Sequence, residues 1–251
     1  MIPIGDINPV RRKPIVNTIL IAINVAVFVI FELPYILSGN MLGLDHFIKT
    51  YGLVPYFVLN GERLYTLFTH MWVHASIEHI AGNMLFLAIF GDNVESLLGH
   101  KRYLLLYILS GLAAAGFHLA SICLMPKATL NPYLTQNPWL TPAVGASGAI
   151  SGVLAAYFLF YPRALVKVLI FIPFPFLILI PAEYFLGFWF LWQLMEGTWS
   201  LVGVPSGVAW WAHIGGFLMG AILAYFLVDR KEVEIHRRLS RYAFATRGFF
   251  L

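Results

Sequence analysis

Ser147 stands in the string Gly145-Ala146-Ser147-Gly148, and His213 opens the string His213-Ile214-Gly215-Gly216. A serine hydroxyl is a weak nucleophile that needs a neighbouring base, and histidine has a pKa suited to that task. Glycines beside the serine let a substrate backbone approach closely and leave the serine N–H reachable. His79 and Asn83 lie four residues apart and share one helix face. Both carry side-chain donors of the kind that hold a developing oxyanion. Together these types can do acyl transfer: attack by Ser147, proton shuttling by His213, and charge stabilisation by His79, Asn83 and the Ser147 N–H. Taken singly, each has a plainer reading. Gly145, Gly148 and Gly152, and likewise Gly216 and Gly220, have the small-residue spacing of closely packed membrane helices. A lone membrane histidine is commonly structural or part of a proton relay, and Asn83 alone would be interhelical glue.

The elements that position these residues decide between the readings. The chain has 251 residues, 60% hydrophobic and 11% charged, with mean hydropathy +0.79. A soluble domain carries about twice that charged share. There are too few polar side chains to cover a water-facing surface, which places the chain in the membrane class. The length suits one compact unit, 1–251, rather than several domains. The net charge of +4 sits beside apolar segments, where it sets topology and meets anionic lipid. No aromatic-plus-basic platform speaks for nucleic acid. With Cys123 as the only cysteine, neither an intramolecular disulfide nor a cysteine-based metal site is expected. The first apolar segment is too long for a signal-peptide core and lacks a small-residue cleavage site, so it is expected to stay as an anchor.

A bilayer core takes roughly 20 apolar residues per helix. Apolar runs and their breakers predict six spans: Ile15–Leu37, Ile77–Leu98, Tyr103–Leu124 closed by Pro126, the short Gly/Ala-rich Ser147–Tyr161 closed by Pro162, Phe176–Met195, and Val208–Val228. The fifth is the latter part of a long apolar stretch from Val166 that is broken by Pro173, Pro175 and Pro181. The expected fold is therefore an all-α polytopic bundle with a core at about 15–228. The segment Gly43–Tyr65 is partly apolar but too broken to span, and is expected at the interface. The tail 229–251 is basic and expected to be solvated or to lie on the lipid surface.

Six spans put both termini on one side. Arg11, Arg12, Lys13, Lys101, Arg102, Arg163, Lys167, Arg230, Lys231, Arg237, Arg238, Arg241 and Arg247 fall on that side, against Lys49, Arg63 and Lys127 on the other. The positive-inside rule then makes both termini cytoplasmic. Spans two, four and six enter from the opposite face, and His79, Asn83, Ser147 and His213 each lie within about the first two turns of their helices, roughly 10 Å of rise. Four costly polar residues thus share one depth, which favours a site over four independent structural roles.

Three strings resemble those of the rhomboid intramembrane protease family: His74-Ala75-Ser76-Ile77-Glu78-His79-Ile80-Ala81-Gly82-Asn83, Gly145-Ala146-Ser147-Gly148, and Ala212-His213-Ile214-Gly215-Gly216-Phe217-Leu218-Met219-Gly220. The resemblance extends from span one to span six. It implies a six-helix rhomboid-like bundle and a Ser147–His213 dyad without a third acid. The oxyanion would be held by His79, Asn83 and the Ser147 N–H, with His74, Gly145, Gly148, Gly216 and Gly220 in support. It implies transmembrane protein substrates cut by a serine endopeptidase, no cofactor and no metal. The site would lie in a cavity opening to the extracytoplasmic side of a multi-pass protein, and the compact chain with short basic tails suggests a prokaryotic plasma membrane.

The chain departs from the family pattern in two places. Tyr65 and Thr66 stand where many members carry Trp-Arg, and Ser151 stands where some members have an aromatic residue stacked on the catalytic histidine, so another residue must orient His213. The aromatics of span five, Phe185, Phe188, Trp189, Phe190 and Trp192, with Trp199 after it, read as lipid-facing or interfacial. The family reading makes this region a lateral gate and lid, with Gly197, Gly203, Pro205 and Gly207 giving the loop room to move. Two alternatives stand beside the protease: a non-catalytic rhomboid-like protein that binds membrane clients, and a small polytopic transporter using the same polar residues as a path.

Overall fold

A computed structural model describes residues 1–125, 137–171, 173–202, 204, 207–235 and 238. The chain opens with a short strand β1 (Ile2–Asp6). The first apolar segment follows as α1 (Ile15–Val27), a π-helical turn (Phe28–Glu32) and α2 (Leu33–Leu37), which together cover the predicted first span. Two short helices, α3 (Met41–Tyr51) and α4 (Pro55–Leu59), fill the segment expected at the interface. After α5 (Thr66–Thr69) come the long helices α6 (Ile77–Leu98) and α7 (His100–Leu124). Then follow α8 (Ser147–Phe160), a hairpin of β2 (Leu165–Ile170) and β3 (Phe176–Pro181), α9 (Ala182–Leu201) and α10 (Trp210–Leu227). Among the described residues, three helices are long and apolar enough to cross a membrane, Ile15–Leu37, His100–Leu124 and Trp210–Leu227. A fourth joins them if α6 and the turn before it, bent by 90°, form one span.

The hairpin corrects two expectations. The fold is not purely α, because β1, β2 and β3 form an antiparallel sheet in that order, with Ile2 opposite Leu169 and Ile170 opposite Phe176. The fifth helix starts at Ala182 rather than Phe176. The reason is legible in hindsight. Val166, Val168 and Ile170 alternate along β2, and Ile178 and Ile180 along β3; β-branched residues at that period favour a strand. Prolines cannot extend a helix interior, so Pro173 and Pro175 mark the turn and Pro181 the N-cap of α9. Val166 and Val168 are fully buried, which seats the sheet under the bundle.

α8 is the buried axis of the molecule. Every residue from Gly148 to Tyr157 is buried, although the helix is only about 21 Å long at 1.5 Å per residue. Gly148, Ala149, Ser151, Gly152, Ala155 and Ala156 keep it slim enough for α7 and α10 to close around it. A Cβ on Gly216 of α10 would lie 1.9 Å from the Gly148 carbonyl oxygen, and one on Gly220 would lie 2.2 Å from the Gly152 Cα. The two backbones therefore touch, as small-residue pairs in membranes allow.

A buried carboxylate fixes the start of α1. Pro14 provides no side-chain cap there, and Glu95 of α6 accepts instead from the Val16 N–H at 2.9 Å and the Asn17 N–H at 2.7 Å. The Asn17 side chain completes the join, donating to the Leu87 carbonyl and accepting from the Tyr103 hydroxyl. Bonds to a charged group in such a place are worth about 1.5–3 kcal/mol each.

Candidate active site

Ser147 is the first residue of α8, so its N–H has no acceptor within the helix and the helix dipole favours negative charge beside it. His213 lies in the first turn of α10. The close crossing of the two helices brings the Ser147 hydroxyl within 2.8 Å of His213 Nε2. That is hydrogen-bond distance between a nucleophile and a base. Four residues on, Ser151 donates its hydroxyl proton to the Ser147 carbonyl at 2.7 Å, tightening the first turn of α8.

The oxyanion candidates stand on the same cavity. His79 and Asn83 project from the first two turns of α6, whose N-terminus is capped by the Ser76 hydroxyl accepting from the His79 N–H. The cavity measures about 730 Å³ and is lined by His79, Asn83, Ser147, Trp189, Trp210 and His213, among others. Asn83 is 8% exposed, yet its Nδ2 has no hydrogen-bond partner among the described residues. A buried donor without an acceptor is costly, and this one faces the wall on which Ser147 stands. Gly145 makes the approach possible: its φ of +117° suits glycine, and a Cβ there would lie 2.6 Å from His79 Nε2 and 3.6 Å from Asn83 Nδ2. His74 is fully buried behind them, with its ring 5.1 Å from that of His79. Its backbone N–H donates to Glu32 at 2.7 Å, tying this loop to the π-helical turn of the first apolar segment.

A model of the Rhomboid domain matches residues 61–230, more than half of the chain. The chain belongs to the rhomboid family. It is similar to RHOMBOID-like protein 12, mitochondrial, of Arabidopsis thaliana, at 29% identity over 81% of this chain and 55% of the relative. It is also similar to Rhomboid protease AarA of Providencia stuartii, at 33% identity over 64% of this chain and 56% of the relative. A shorter match, 33% identical over 42% of this chain and 6% of the relative, is to Inactive rhomboid protein 1 of Drosophila melanogaster. The chain spans about half the length of the first two relatives. Mitochondrial and bacterial relatives both occur, so the comparisons do not support the prokaryotic placement.

In this rhomboid the structure brings Ser147, His213, His79, Asn83, His74, Gly145, Gly148, Gly216 and Gly220 together around one cavity and one helix crossing. Tyr65 and Thr66, which depart from the family pattern, are both held: the Tyr65 hydroxyl donates to the Thr50 carbonyl at 2.9 Å, and Thr66 is buried. The aromatics of α9 divide. Phe188, Trp192 and Trp199 are exposed, whereas Phe185 is buried and Phe190 stacks on Phe217 at 4.2 Å. Trp189 packs beside the catalytic candidate, its ring 6.1 Å from that of His213. Gly197 packs tightly, since the Trp211 indole N–H donates to its carbonyl at 2.9 Å, while Gly207 has a positive φ. Gly203 and Pro205 of the expected lid, Pro126, Lys127, and Arg237, Arg241 and Arg247 of the tail lie outside the described residues.

One neighbour of His213 is absent from the residues singled out in the sequence. Gln193 of α9 is 3% exposed, and its Oε1 lies 2.8 Å from His213 Nδ1. Its signal was present, since an amide inside a membrane helix is a functional hypothesis by default. The misplaced fifth span concealed it. With a span at Phe176–Met195, Gln193 falls at the helix end, where an amide costs little. In α9 it lies about two turns inside the end.

Proposed function

We propose that this rhomboid is an intramembrane serine endopeptidase that cleaves transmembrane segments of other membrane proteins. The Ser147–His213 contact of 2.8 Å carries the reading. Ser147 Oγ attacks the scissile carbonyl carbon while His213 Nε2 takes its proton. The tetrahedral oxyanion accepts from the Ser147 N–H, Asn83 Nδ2 and the His79 ring. His213 then protonates the leaving amine, and a water molecule, activated by the same imidazole, hydrolyses the acyl-enzyme. Among the described residues, the Asn83 Nδ2 donor meets no acceptor.

The proposed setting is a single domain of six spans with both termini cytoplasmic and the cavity opening to the other side. Two observations support it. Arg11 and Arg12 pair with Glu232 at 2.8 and 3.1 Å, so the segment before α1 and the segment after α10 share one face. The cavity lies at the opposite ends of α6 and α10. The basic tail and the cationic loops on the terminal face would meet anionic lipid. A lateral gate at α9 is part of this reading and is supported by the exposed Phe188 and Trp192.

A second reading, client binding without cleavage, is favoured by the match to a relative named inactive. The intact nucleophile–base pair counts against it. The deciding experiment is labelling of purified protein in liposomes with a fluorophosphonate, alongside cleavage of a reporter transmembrane protein. The protease reading expects both activities in the wild type and neither in Ser147→Ala of unchanged melting temperature. Cleavage undiminished in Ser147→Ala would end it.

A further inference from the structure

An imidazole has two ring nitrogens, and it can serve Ser147 as a base only in the tautomer that leaves the Nε2 lone pair free. The neighbours of His213 determine which tautomer that is. Gln193 Oε1 lies 2.8 Å from Nδ1. An amide can present either its oxygen or its NH₂ group to a ring, so its other contact decides. Gln193 Nε2 donates to the Trp189 carbonyl, one turn back on α9, at 3.0 Å. A carbonyl only accepts, so the NH₂ group must face Trp189 and the oxygen must face His213. An amide oxygen also only accepts, so Nδ1 must carry the proton. Three hydrogen bonds then run in one direction: Ser147 hydroxyl to His213 Nε2, His213 Nδ1–H to Gln193, and the Gln193 NH₂ group to the backbone of α9.

We infer that Gln193 is a positioning residue that turns the dyad into a relay of three, holding His213 in the base tautomer and supporting the imidazolium formed when it takes the serine proton. The inference rests on the protease reading above. Burial makes the contact matter, because Gln193 is only 3% exposed and little water competes for its amide. Indoles hold the ring plane in place: Trp189 and Trp210 each approach His213 to a centroid distance of 6.1 Å, one tilted and one edge-on. The arrangement also answers the departure at position 151. Ser151 is spent on the Ser147 carbonyl, and the orientation of His213 comes from α9 instead of α8. A merely structural Gln193 would need only its bond to Trp189.

The test uses the full chain in liposomes, with Gln193→Met, Gln193→Glu, Ser147→Ala and wild type compared for kcat, KM, melting temperature and the pH profile of cleavage. Methionine keeps the volume and removes the acceptor; glutamate keeps an acceptor at the same reach. The expected result is that Gln193→Met lowers kcat by about 10- to 100-fold, by analogy with the groups that orient metal-bound histidines, with KM changed less than about threefold. Gln193→Glu returns kcat to within a few-fold of wild type, with its pH profile displaced because a carboxylate now faces the imidazole. Wild-type kcat in Gln193→Met would overturn the inference. So would equal losses in the two variants, which is the pattern of a packing defect. Failure of the wild type itself to cleave or to label would remove the protease reading, and this inference with it.

Discussion

The crossing of α8 and α10 should be the most sensitive point of the molecule that makes no contact with substrate. Consider Gly216→Ala. The added Cβ would stand 1.9 Å from the Gly148 carbonyl oxygen and 2.9 Å from its carbon, both backbone atoms that no rotamer change can move. Ordinary van der Waals contact begins at about 3.4 Å, so the helices must separate locally by about 1.5 Å (3.4 − 1.9). Ser147 directly precedes Gly148, and His213 lies one turn before Gly216. The same separation therefore stretches the 2.8 Å Ser147–His213 contact to about 4 Å, beyond the limit for a hydrogen bond. A misplacement of about 1 Å in a catalytic pair costs on the order of 100-fold in rate, and overpacking of this kind costs about 1–3 kcal/mol of stability. The matched control is Gly116→Ala on α7, where a Cβ would have nothing within 4 Å. The assay is kcat for a fluorogenic transmembrane substrate in liposomes, with melting temperature measured in parallel. We expect Gly216→Ala to lose about 100-fold in kcat at temperatures where it stays folded, and Gly116→Ala to lose almost none. A folded Gly216→Ala variant with kcat within threefold of wild type would refute the claim that this crossing sets the distance between nucleophile and base.

Two further outcomes follow from particular side chains. Asn83→Ala should lower kcat by roughly 10- to 1000-fold, with little loss of melting temperature, because the donor removed has no partner to lose among the described residues; wild-type turnover would take Asn83 out of the oxyanion hole. Burial pushes the Asp6 carboxyl of β1 up to about 7, and Asp92 adds repulsion, against the opposing hydrogen bond from Tyr157. Its folded pKa is thus above the unfolded value of 3.8, so the folded state holds the proton longer and stability falls as pH rises from about 4 to about 7, then levels. Protection of the β1 amides from hydrogen exchange should accordingly be weaker at pH 8 than at pH 5.5, and Asp6→Asn should abolish the difference; a wild-type profile flat across that range would refute it.

The sequence made much of the bundle legible because lipid restricts the choices. The helical segments Ile15–Leu37 and Ile77–Leu98 keep the predicted bounds, since each runs between clear breakers. The stretch after Pro162 was illegible by the same logic. Its residues are apolar throughout, and hydropathy cannot tell a buried strand from a helix. Only the two-residue alternation of Val166, Val168 and Ile170, and the three prolines, separate a hairpin from a span. A second feature had no local signal at all: β1 pairs with β2 across more than 150 residues of sequence, and long-range pairing of that kind is set by docking against the bundle rather than by a local pattern.

Ser147, His79, Asn83 and His213 are legible from their depth in the membrane, and depth also explains why Gln193 is not. Ser147, His79, Asn83 and His213 are costly where they stand, and each lies near a helix start whose position was read correctly, so their shared level emerged without knowledge of the packing. Gln193 belongs at that level too, but its helix was placed too early in the sequence, which moved it to a boundary where a polar side chain raises no question. The contact it makes could not have been read from either helix alone. Nδ1 of His213 meets its acceptor on α9, at Gln193, while the Ser151 hydroxyl of α8 donates to the Ser147 carbonyl. α9 is the helix that packs against the open side of α10, with the Trp211–Gly197 bond pinning their ends together. The residue proposed to orient the base is thus carried by the helix proposed to move for substrate. On the proposed reading, an α9 displaced far enough to break the 2.8 Å contact would leave His213 Nδ1 without the Gln193 acceptor that fixes its tautomer.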